Sequence, residues 1–468
     1  MKNELTKKYG LLTSISSVVG IVIGSGIFYK APVILTATGG NMPLGVLAWI
    51  LGGIIMVVCA FMFSHFSKKY EGLNGVVDYA EATCGKKYAY YIAWFVTIIY
   101  YPAMASVIAW VTARYFCGLF GFSPVGAECM CLTTLFLVSA FVWNALSPKL
   151  AGKIQISATV IKMIPLILMA VVGTIYGLIT NMTIENFTHV ASDAVGGKTG
   201  SLLRAVVATA FAYEGWSCVT TLNSEIKDSK KNLSLGLMIG GIVVILTYVF
   251  YYIGISGGAT NAELLEDATI SFTRIFGKTG GLIVNILIVI SCLGTLNGIA
   301  MASSRCIYSI ACRNEGVNPQ FFNSIDEKTN MPLRATFIQL LITSVWLVYF
   351  FGANLTNPWF GLFSFDSSEL PIITLYAMYI PIIAGYMIKS KEENVLWRFV
   401  MPVLSIIACL FMIFAAVYAH GFMPLNESIS NGGGFTFPVL FYLIIYILVM
   451  FVGYIVERVN SKKVINNN

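Results

Sequence analysis

Three places in this sequence put charge-binding residues inside long apolar runs. They are the Gly-Ser-Gly run at 24–26, the acid Glu214 with Gly215 beside it, and the base Lys162. Glycine weakens a helix interior and permits unusual backbone angles. A charged side chain at the centre of a bilayer costs ~2.5–3.5 kcal/mol on insertion scales. Residues this unfavourable for a lipid-facing helix indicate candidate binding sites.

A helix that breaks halfway across a membrane exposes two kinds of backbone group. The amide N–H groups at the start of one half-helix suit a carboxylate, because the helix dipole adds to their hydrogen bonds. The carbonyl groups at the end of the other half suit an ammonium group. Interrupted apolar segments at corresponding places in two halves of a chain point to a substrate site in an inverted-repeat transporter. The pattern therefore favours a site for a small zwitterion.

Each feature also has a structural explanation that needs no ligand. Gly20 and Gly24 have the four-residue spacing of closely packed helices. Glu214 can cap a half-helix by itself. Lys162 could reach the membrane surface with its long side chain. However, it lies about eight residues into its apolar run, which is ~12 Å of helix rise, so we expect its ammonium group to stay in the protein interior.

The elements that hold these residues are predicted to be membrane helices. The chain has 468 residues, of which 57% are hydrophobic and 11% charged, whereas soluble domains carry about 25% charged residues. Runs of about 20 apolar residues match the hydrocarbon thickness and must be helical there. We predict an all-α integral membrane protein with twelve transmembrane helices at 11–36, 43–65, 88–117, 129–147, 154–180, 201–223, 235–257, 280–310, 335–352, 368–388, 399–420 and 436–456.

The basic residues predict the orientation of these spans. Most of the 29 Lys and Arg fall in the termini and in alternate loops. The opposite loops hold only Arg114, Lys198, Arg204, Arg274 and Lys278. By the positive-inside rule both termini are cytoplasmic, in a multi-pass protein of the cell membrane. The net charge of +7 then reflects topology and contact with the lipid bilayer, so no nucleic acid partner is expected.

The order of spans predicts the domain organisation. Residues 1–390 form a transport core whose inverted repeats cover about 11–180 and 201–388. Residues 391–468 add two helices and a cytoplasmic tail. The three His are far apart in sequence, so we predict no metal site and no cofactor. A nucleotide-binding GxxxxGK[ST] loop and a midplane cluster of acid, base and nucleophile are both missing from the sequence, so an enzyme is not expected.

Four segments resemble the amino acid-polyamine-organocation (APC) superfamily, nearest its L-type amino acid transporter branch and the bacterial serine/threonine exchangers. The resemblance covers nearly the whole chain. Its segments are GSGIF at 24–28, TVIKMIPL at 159–166, FAYEGW at 211–216 followed by SEIKD at 224–228, and SCLGTLNG at 291–298 running on to Arg305 and RNEGVNP at 313–319.

The resemblance implies the LeuT-type 5+5 inverted repeat, with discontinuous helices 1 and 6. It also implies that the substrate carboxylate meets the amides of Ser25 and Gly26, while the ammonium meets backbone carbonyls around both breaks. Phe211 would close over the substrate. The substrate-binding set implied in this way is Val22, Ile23, Gly24, Ser25, Gly26, Phe211, Ala212, Tyr213, Glu214 and Ser217.

In sodium-coupled relatives of this fold a sodium ion joins spans 1 and 8, and in this branch a lysine of span 5 takes its place. The resemblance thus implies that Lys162 reaches the carbonyl near Gly20 and the hydroxyl of Ser291 or Thr295. Sodium independence follows as a prediction.

Two departures from the family pattern matter. Animal relatives bind a heavy-chain subunit through a Cys in the loop after span 3; in this chain that place reads Ser123-Pro124, so no covalent heavy-chain partner is expected. Many relatives have Gly where this chain has Glu214. That acid could favour a cationic side chain, bind a proton or hold the broken helix.

The resemblance therefore implies a secondary transporter of small neutral amino acids that works by alternating access, either an antiporter or a proton-coupled permease. Spans 1, 2, 6 and 7 would move against spans 3, 4, 8 and 9. The alternatives are a proton symporter for cationic amino acids and a nutrient-sensing receptor on the same fold.

Overall fold

A computed structural model describes residues 10–70, 75–189, 201–217, 226–266, 268–355 and 357–466. The regular secondary structure of these residues is helical. In the first half of the chain the helices are α1 Leu11–Val22, α2 Ser25–Ala37, α3 Met42–Lys69, α4 Val76–Cys84, α5 Lys86–Phe95, α6 Tyr101–Phe120, α7 Ala127–Leu146, α8 Pro148–Ile161, α9 Met163–Leu168, α10 Thr174–Ile179, α11 Met182–Thr188 and α12 Leu202–Ala212.

The second half continues the same architecture. Short π-helical segments join α5 to α6 and α9 to α10 in the first half, and two more lie on either side of α20. The remaining helices are α13 Ser229–Ile255, α14 Asn261–Glu266, α15 Thr269–Ser303, α16 Cys306–Cys312, α17 Pro319–Phe322, α18 Leu333–Ala353, α19 Leu370–Lys389, α20 Met401–Val417, α21 Met423–Ser430 and α22 Pro438–Asn466.

Ten helical segments of the described residues are long and apolar enough to cross a membrane, and the bent pair α1–α2 would make an eleventh. Each of the ten overlaps a predicted span. The sixth predicted span, 201–223, contains α12, which is a shorter apolar helix of 11 residues. Residues 218–225, which include the rest of this predicted span and Ser224 and Glu225 of the SEIKD segment, lie outside the described residues. The all-helical fold is confirmed, and the number twelve stays a prediction.

Local sequence explains where several helices begin and end. The Asn41 side chain accepts a hydrogen bond from the Leu44 amide at 2.9 Å and caps α3. Lys68 and Lys69 lie in the last turn of α3, where cations complement the helix dipole. Pro165 has no N–H, so it cannot donate to the carbonyl of Ile161, and α8 ends at that residue.

The chain divides into two compact units. The first comprises Met1–Thr83, Thr159–Ser291 and Tyr376–Ala419. Within it α13 packs along α1 and α3, α12 packs against α2 and α3, and α20 packs on α3. Every residue of the predicted site except Thr295 belongs to this unit.

The second unit comprises Cys84–Ala158, Cys292–Leu375 and His420–Asn468. Its core is α6, which packs against α7 and α18, and α22 packs on α5. The sequence predicted a different division of the chain, with a boundary at residue 390 and two inverted repeats. That division stays a prediction.

Candidate functional site

The first apolar run is two helices that meet at a bend of 51°. Between them, Ile23 is extended (φ −70°, ψ 111°) and Gly24 leaves the helical region (φ −150°, ψ −146°). No side chain caps the N-terminus of α2. The Ser25 hydroxyl, buried at that N-terminus, has no hydrogen-bond partner within the part of the chain that the structure describes. This helix start offers amides, a positive dipole and a hydroxyl to an anion.

In the sixth apolar run α12 ends after Ala212 in a turn, and we call this turn the second break. Gly215 lies in this turn with φ +104°, a backbone conformation that only glycine adopts without strain. A Cβ atom on Gly215 would also lie 3.2 Å from the Ile21 side chain, in the last turn of α1. The Glu-Gly pair that interrupts the sixth apolar run therefore ends α12 beside the first break.

The two breaks meet through Gly26. A Cβ atom on this residue would lie 2.6 Å from the Cα atom of Ala212 and 3.2 Å from the carbonyl oxygen of Phe211. The N-terminal turn of α2 therefore lies directly on the C-terminal turn of α12. One half-helix presents amide groups and the other presents carbonyl groups at the same place.

Tyr248 of α13 joins both breaks and was not predicted from the sequence. Its hydroxyl lies 3.1 Å from the Val22 carbonyl oxygen and 2.9 Å from that of Ala212, and it shares one proton between them. Tyr248 thus already occupies part of the carbonyl set predicted for a substrate ammonium. Each carbonyl oxygen keeps a second lone pair for another donor.

A buried aromatic cluster fixes the residues around the second break. Tyr213 donates a hydrogen bond of 2.8 Å from its hydroxyl to the Trp49 carbonyl of α3. The Trp49 ring packs edge-on against Tyr213 and Tyr248, with ring centroids 5.7 and 5.3 Å apart. Because all three side chains are buried, the end of α12 is held against α3 and α13.

Phe211, predicted to close over the substrate, is buried one residue before the end of α12. Its ring packs edge-on against Tyr29 of α2, with centroids 5.8 Å apart. The ammonium group of Lys30 lies 5.4 Å from the centroid of the same ring. Lys30 was not predicted to belong to the site.

Glu214 is half-buried in the turn after α12. It lies near Cys59 of α3 and near Tyr376 and Tyr379 of α19. Ser217, the last predicted site residue of this segment, is buried. The position of Glu214 is compatible with each of the three roles considered for it.

Lys162 is only 2% exposed, and its ammonium donates a hydrogen bond to the Gly20 carbonyl oxygen. Gly20 lies in the last turn of α1, where backbone carbonyls lack helical partners. Ser291 is buried on α15. The predicted contacts of Lys162 with Ser291 and Thr295 stay predictions.

Comparison with known proteins identifies related sequences over most of the chain. Residues 9–452 match the family model described as amino acid permease. The chain is 26% identical to the serine/threonine exchanger SteT of Bacillus subtilis (strain 168), across 88% of this chain and 91% of that protein. It is 26% identical to the cystine/glutamate transporter of Homo sapiens, across 93% and 83%. These relatives are transporters by name, as the APC resemblance predicted.

A solved structure supports the same fold. The structure of MhsT in complex with L-phenylalanine matches with a TM-score of 0.56 at 15% sequence identity. The match covers 88% of this chain and 100% of that chain. At this identity the similarity concerns the fold alone.

Proposed function

Since the chain belongs to the amino acid permease family, we propose that it is a sodium-independent secondary transporter of small neutral amino acids. It exchanges them, or takes them up with protons, by alternating access; exchange is the preferred mode. The observation that supports this most directly is the contact of Gly26 with Ala212. That contact brings an uncapped helix start and a helix end together in one buried place.

The substrate carboxylate binds at the start of α2. There the amides of Ser25 and Gly26 point toward the carboxylate, and the N-terminal end of the α2 dipole carries positive partial charge. The buried Ser25 hydroxyl donates a further hydrogen bond. A carboxylate is the anion that every α-amino acid brings, so this half of the site recognises the class and not the side chain.

The substrate ammonium binds the carbonyl groups at the two helix ends. The carbonyls of Ile23, Phe211 and Glu214 serve as acceptors, and those of Val22 and Ala212 share their lone pairs with Tyr248. Phe211 covers the bound amino acid. The aromatic packing of Tyr213 on Trp49 keeps the acceptors in place between turnovers.

Lys162 makes sodium unnecessary. Its buried ammonium group binds a backbone carbonyl at the negative end of α1. The ammonium group thereby provides the positive charge that a bound cation would otherwise supply there. The helices of spans 1, 2, 6 and 7 move against those of spans 3, 4, 8 and 9. In support, α1, α2, α3, α12 and α13 fall in one compact unit, and α6, α7 and α18 fall in the other.

The transporter works in the cell membrane with both termini in the cytoplasm and without a covalent heavy-chain subunit. Ser123-Pro124 supports the last point, because animal relatives that bind a heavy-chain subunit have a cysteine at this place. The amino acid and the lipid bilayer are its only expected partners.

Counterflow in liposomes tests the proposal. Purified protein is reconstituted into vesicles preloaded with one unlabelled amino acid, and entry of labelled amino acids from a panel is measured. We expect labelled small neutral amino acids to accumulate without sodium, and to do so after the pH gradient has been collapsed.

Three outcomes would contradict parts of the proposal. A strict sodium requirement would contradict the role of Lys162. Loss of all uptake when the pH gradient is collapsed would indicate proton symport instead of exchange. Binding of amino acid without any counterflow would indicate a receptor instead of a transporter.

A further inference from the structure

His65 is a buried histidine near the end of α3 that the proposed mechanism does not use. Its Nε2 atom lies 2.8 Å from the Tyr386 hydroxyl of α19 and 3.4 Å from the Glu393 carboxylate. Its ring stacks on that of Trp397, with centroids 4.2 Å apart and an interplanar angle of 9°. The end of α19 and the connecting segment 390–397 therefore make three different kinds of contact with one histidine.

Lys69 makes a second connection one turn further along α3. Its ammonium group donates to the Ser390 hydroxyl at 2.9 Å and to the Glu392 carboxylate, and it lies 3.8 Å from the Glu393 carboxylate. Lysine and glutamate side chains are ionised at neutral pH, so this connection does not depend on small changes of pH. His65 is the part of the contact whose charge can change near neutral pH.

The titratable groups that face His65 come from three elements. They are Lys68 and Lys69 of α3, Tyr386 of α19 and Glu393 of the connecting segment. The Arg398 guanidinium, next along the chain, donates to the Met387 carbonyl instead. Lysines stay charged and tyrosines stay neutral in the range where a histidine titrates. Protonation of His65 therefore adds a positive charge beside the Glu393 carboxylate, and the two lysines oppose it only in part, because Lys69 is paired with Glu392.

We propose that His65 and Glu393 form a pH-dependent latch, which slows transport when the compartment at this end of α3 becomes acidic. A protonated imidazole donates a charge-assisted hydrogen bond to a carboxylate, and such a bond is stronger than one between neutral groups. The bond holds α3 more firmly to the connecting segment. In the orientation predicted from the basic residues, this end of α3 faces the cytoplasm.

The latch can act on transport because α3 is the helix of span 2, which moves with spans 1, 6 and 7 in the proposed cycle. The connecting segment joins α19 to α20, the helices of spans 10 and 11. A charge that is better bound in one conformation shifts the population toward that conformation, so protonation favours states in which α3 stays on the connecting segment. This inference rests on the proposed function, because it takes α3 to leave that segment during the cycle.

Exchange at equal pH inside and outside the vesicles tests the latch, because no pH gradient then drives uptake. Homo-exchange of a labelled neutral amino acid is measured from about pH 8 to about pH 5.5, the range in which histidine titrates. In the wild-type protein we expect the rate to fall about ten-fold across this range, the effect of one hydrogen bond to a charged group.

The variants separate the charge of His65 from its packing. His65→Gln should remove the fall in rate, because glutamine keeps a hydrogen-bond donor and gains no charge in acid. Glu393→Gln should also remove it, although the imidazole is still present. His189→Gln is the control, since His189 is exposed and lies after α11, and it should keep the wild-type pH profile.

The fluorescence of Trp397 reports the latch without transport. A stacked imidazolium ring quenches indole emission more strongly than neutral imidazole does. The part of the emission that Trp397→Phe removes should therefore fall in acid when the full-length wild-type protein is measured in detergent. In His65→Gln that part should not change with pH.

Three results would overturn the inference. The first is wild-type exchange that does not depend on pH in this range. The second is acid inhibition that persists in His65→Gln or that disappears in His420→Gln, whose histidine pairs with Glu369 instead. The third is Trp397 emission that does not respond to pH.

Two further cases keep the test decisive. If the His65 variants do not fold, the wild-type pH profile and the Trp397 emission still decide. A wild-type protein that takes up no amino acid at any pH contradicts the proposed function itself, whereas exchange that is insensitive to pH contradicts the latch alone.

Discussion

Lys162 and Lys30 are both buried in the first unit, yet their ammonium groups meet opposite surroundings. Lys162 donates to the Gly20 carbonyl at the C-terminal, negative end of α1. Lys30 lies just beyond the N-terminal, positive end of α2, against the rings of Tyr29 and Phe211. The helix dipole stabilises the first cation and does not stabilise the second.

This difference concerns the groups that surround each cation. The ammonium group of Lys162 donates to a backbone carbonyl that the end of α1 leaves without a helical partner. The rings of Tyr29 and Phe211 add cation–π attraction of ~0.5–2 kcal/mol to the ammonium group of Lys30. Removing the Lys162 ammonium should therefore stop exchange, because the Gly20 carbonyl loses its donor.

Lys162→Met is expected to have the largest effect. The variant leaves the buried Gly20 carbonyl without its donor, which costs about 1–3 kcal/mol, and removes a cation that contributes up to ~2 kcal/mol at a helix C-terminus. We expect the exchange rate in proteoliposomes to fall at least ~100-fold, equivalent to about 2.7 kcal/mol. Exchange at the wild-type rate by this variant would show that transport does not need the Lys162 ammonium group.

Lys153→Met is the matched control, because Lys153 lies on α8, the helix that leads to Lys162, and is exposed. It should exchange at the wild-type rate. Added sodium should restore exchange in Lys162→Ala and should have no such effect in Lys30→Met. This result would sharpen the comparison, because it would show that an ion can replace the ammonium group of Lys162 and cannot replace that of Lys30.

Gly26→Ala should have the next largest effect. The added Cβ atom would lie 2.6 Å from the Cα atom of Ala212, so α2 and α12 must separate and the two backbone ends lose their common ligand position. We expect substrate affinity, measured by binding of labelled amino acid to protein in detergent, to fall at least ~30-fold, or about 2 kcal/mol.

The control for Gly26→Ala is Gly152→Ala in α8. A Cβ atom there meets nothing within 4 Å, and alanine is the better helix former, so affinity should not change. Equal affinity of the Gly26→Ala variant and the wild-type protein would show that the substrate does not bind at the junction of the half-helices.

Tyr248→Phe should have a moderate effect. It keeps the ring that packs on Trp49 and removes the hydroxyl between the Val22 and Ala212 carbonyls. A hydrogen bond of this kind contributes ~0.5–1.5 kcal/mol, so we expect affinity to fall about three- to ten-fold for every amino acid alike. Tyr454→Phe on α22 is the control. A change in selectivity instead of affinity would mean that the Tyr248 hydroxyl discriminates between substrates.

The positions of the breaks were predictable, because glycine pairs and a lone acid interrupt apolar runs in a way that lipid-facing helices do not tolerate. The structure bends the first run at Gly24 and ends α12 before Glu214, close to the predicted positions. The family resemblance implied the contact of Lys162 with Gly20, whereas the depth of Lys162 in its apolar run predicted only that its ammonium group stays inside.

Other parts of the site carried no sequence signal. Tyr248 lies in an apolar helix where one more tyrosine is unremarkable in sequence, and its role depends on which carbonyls the fold brings to it. Lys30 lies near the C-terminal end of the first apolar run, where a lysine that reaches the membrane surface is the ordinary expectation. The close approach of Gly26 to Ala212 is a tertiary distance, so sequence spacing alone cannot show it.

The smallest expected effect comes from an exposed ion pair, which shows how little a charge contributes outside the buried site. Arg274 forms two hydrogen bonds with Glu263, of 2.7 and 2.9 Å, and together with the Thr260 amide it lowers the pKa of that carboxyl to about 2. Because the folded-state pKa is below the unfolded value of ~4.3, the stabilisation is present above pH ~5 and is lost as pH falls toward 2.

Glu263→Gln should therefore lower thermal stability in detergent by an amount that corresponds to ~0.2–1 kcal/mol at pH 7, and by less at pH 3.5. Exchange at pH 7 should be unchanged, in contrast to the Lys162→Met variant. Unfolding midpoints of variant and wild type, recorded at the two pH values, check the sign. A difference that grows as the pH falls would mean that the Glu263 carboxylate destabilises the fold. A variant that loses exchange would mean that this ion pair belongs to the transport cycle.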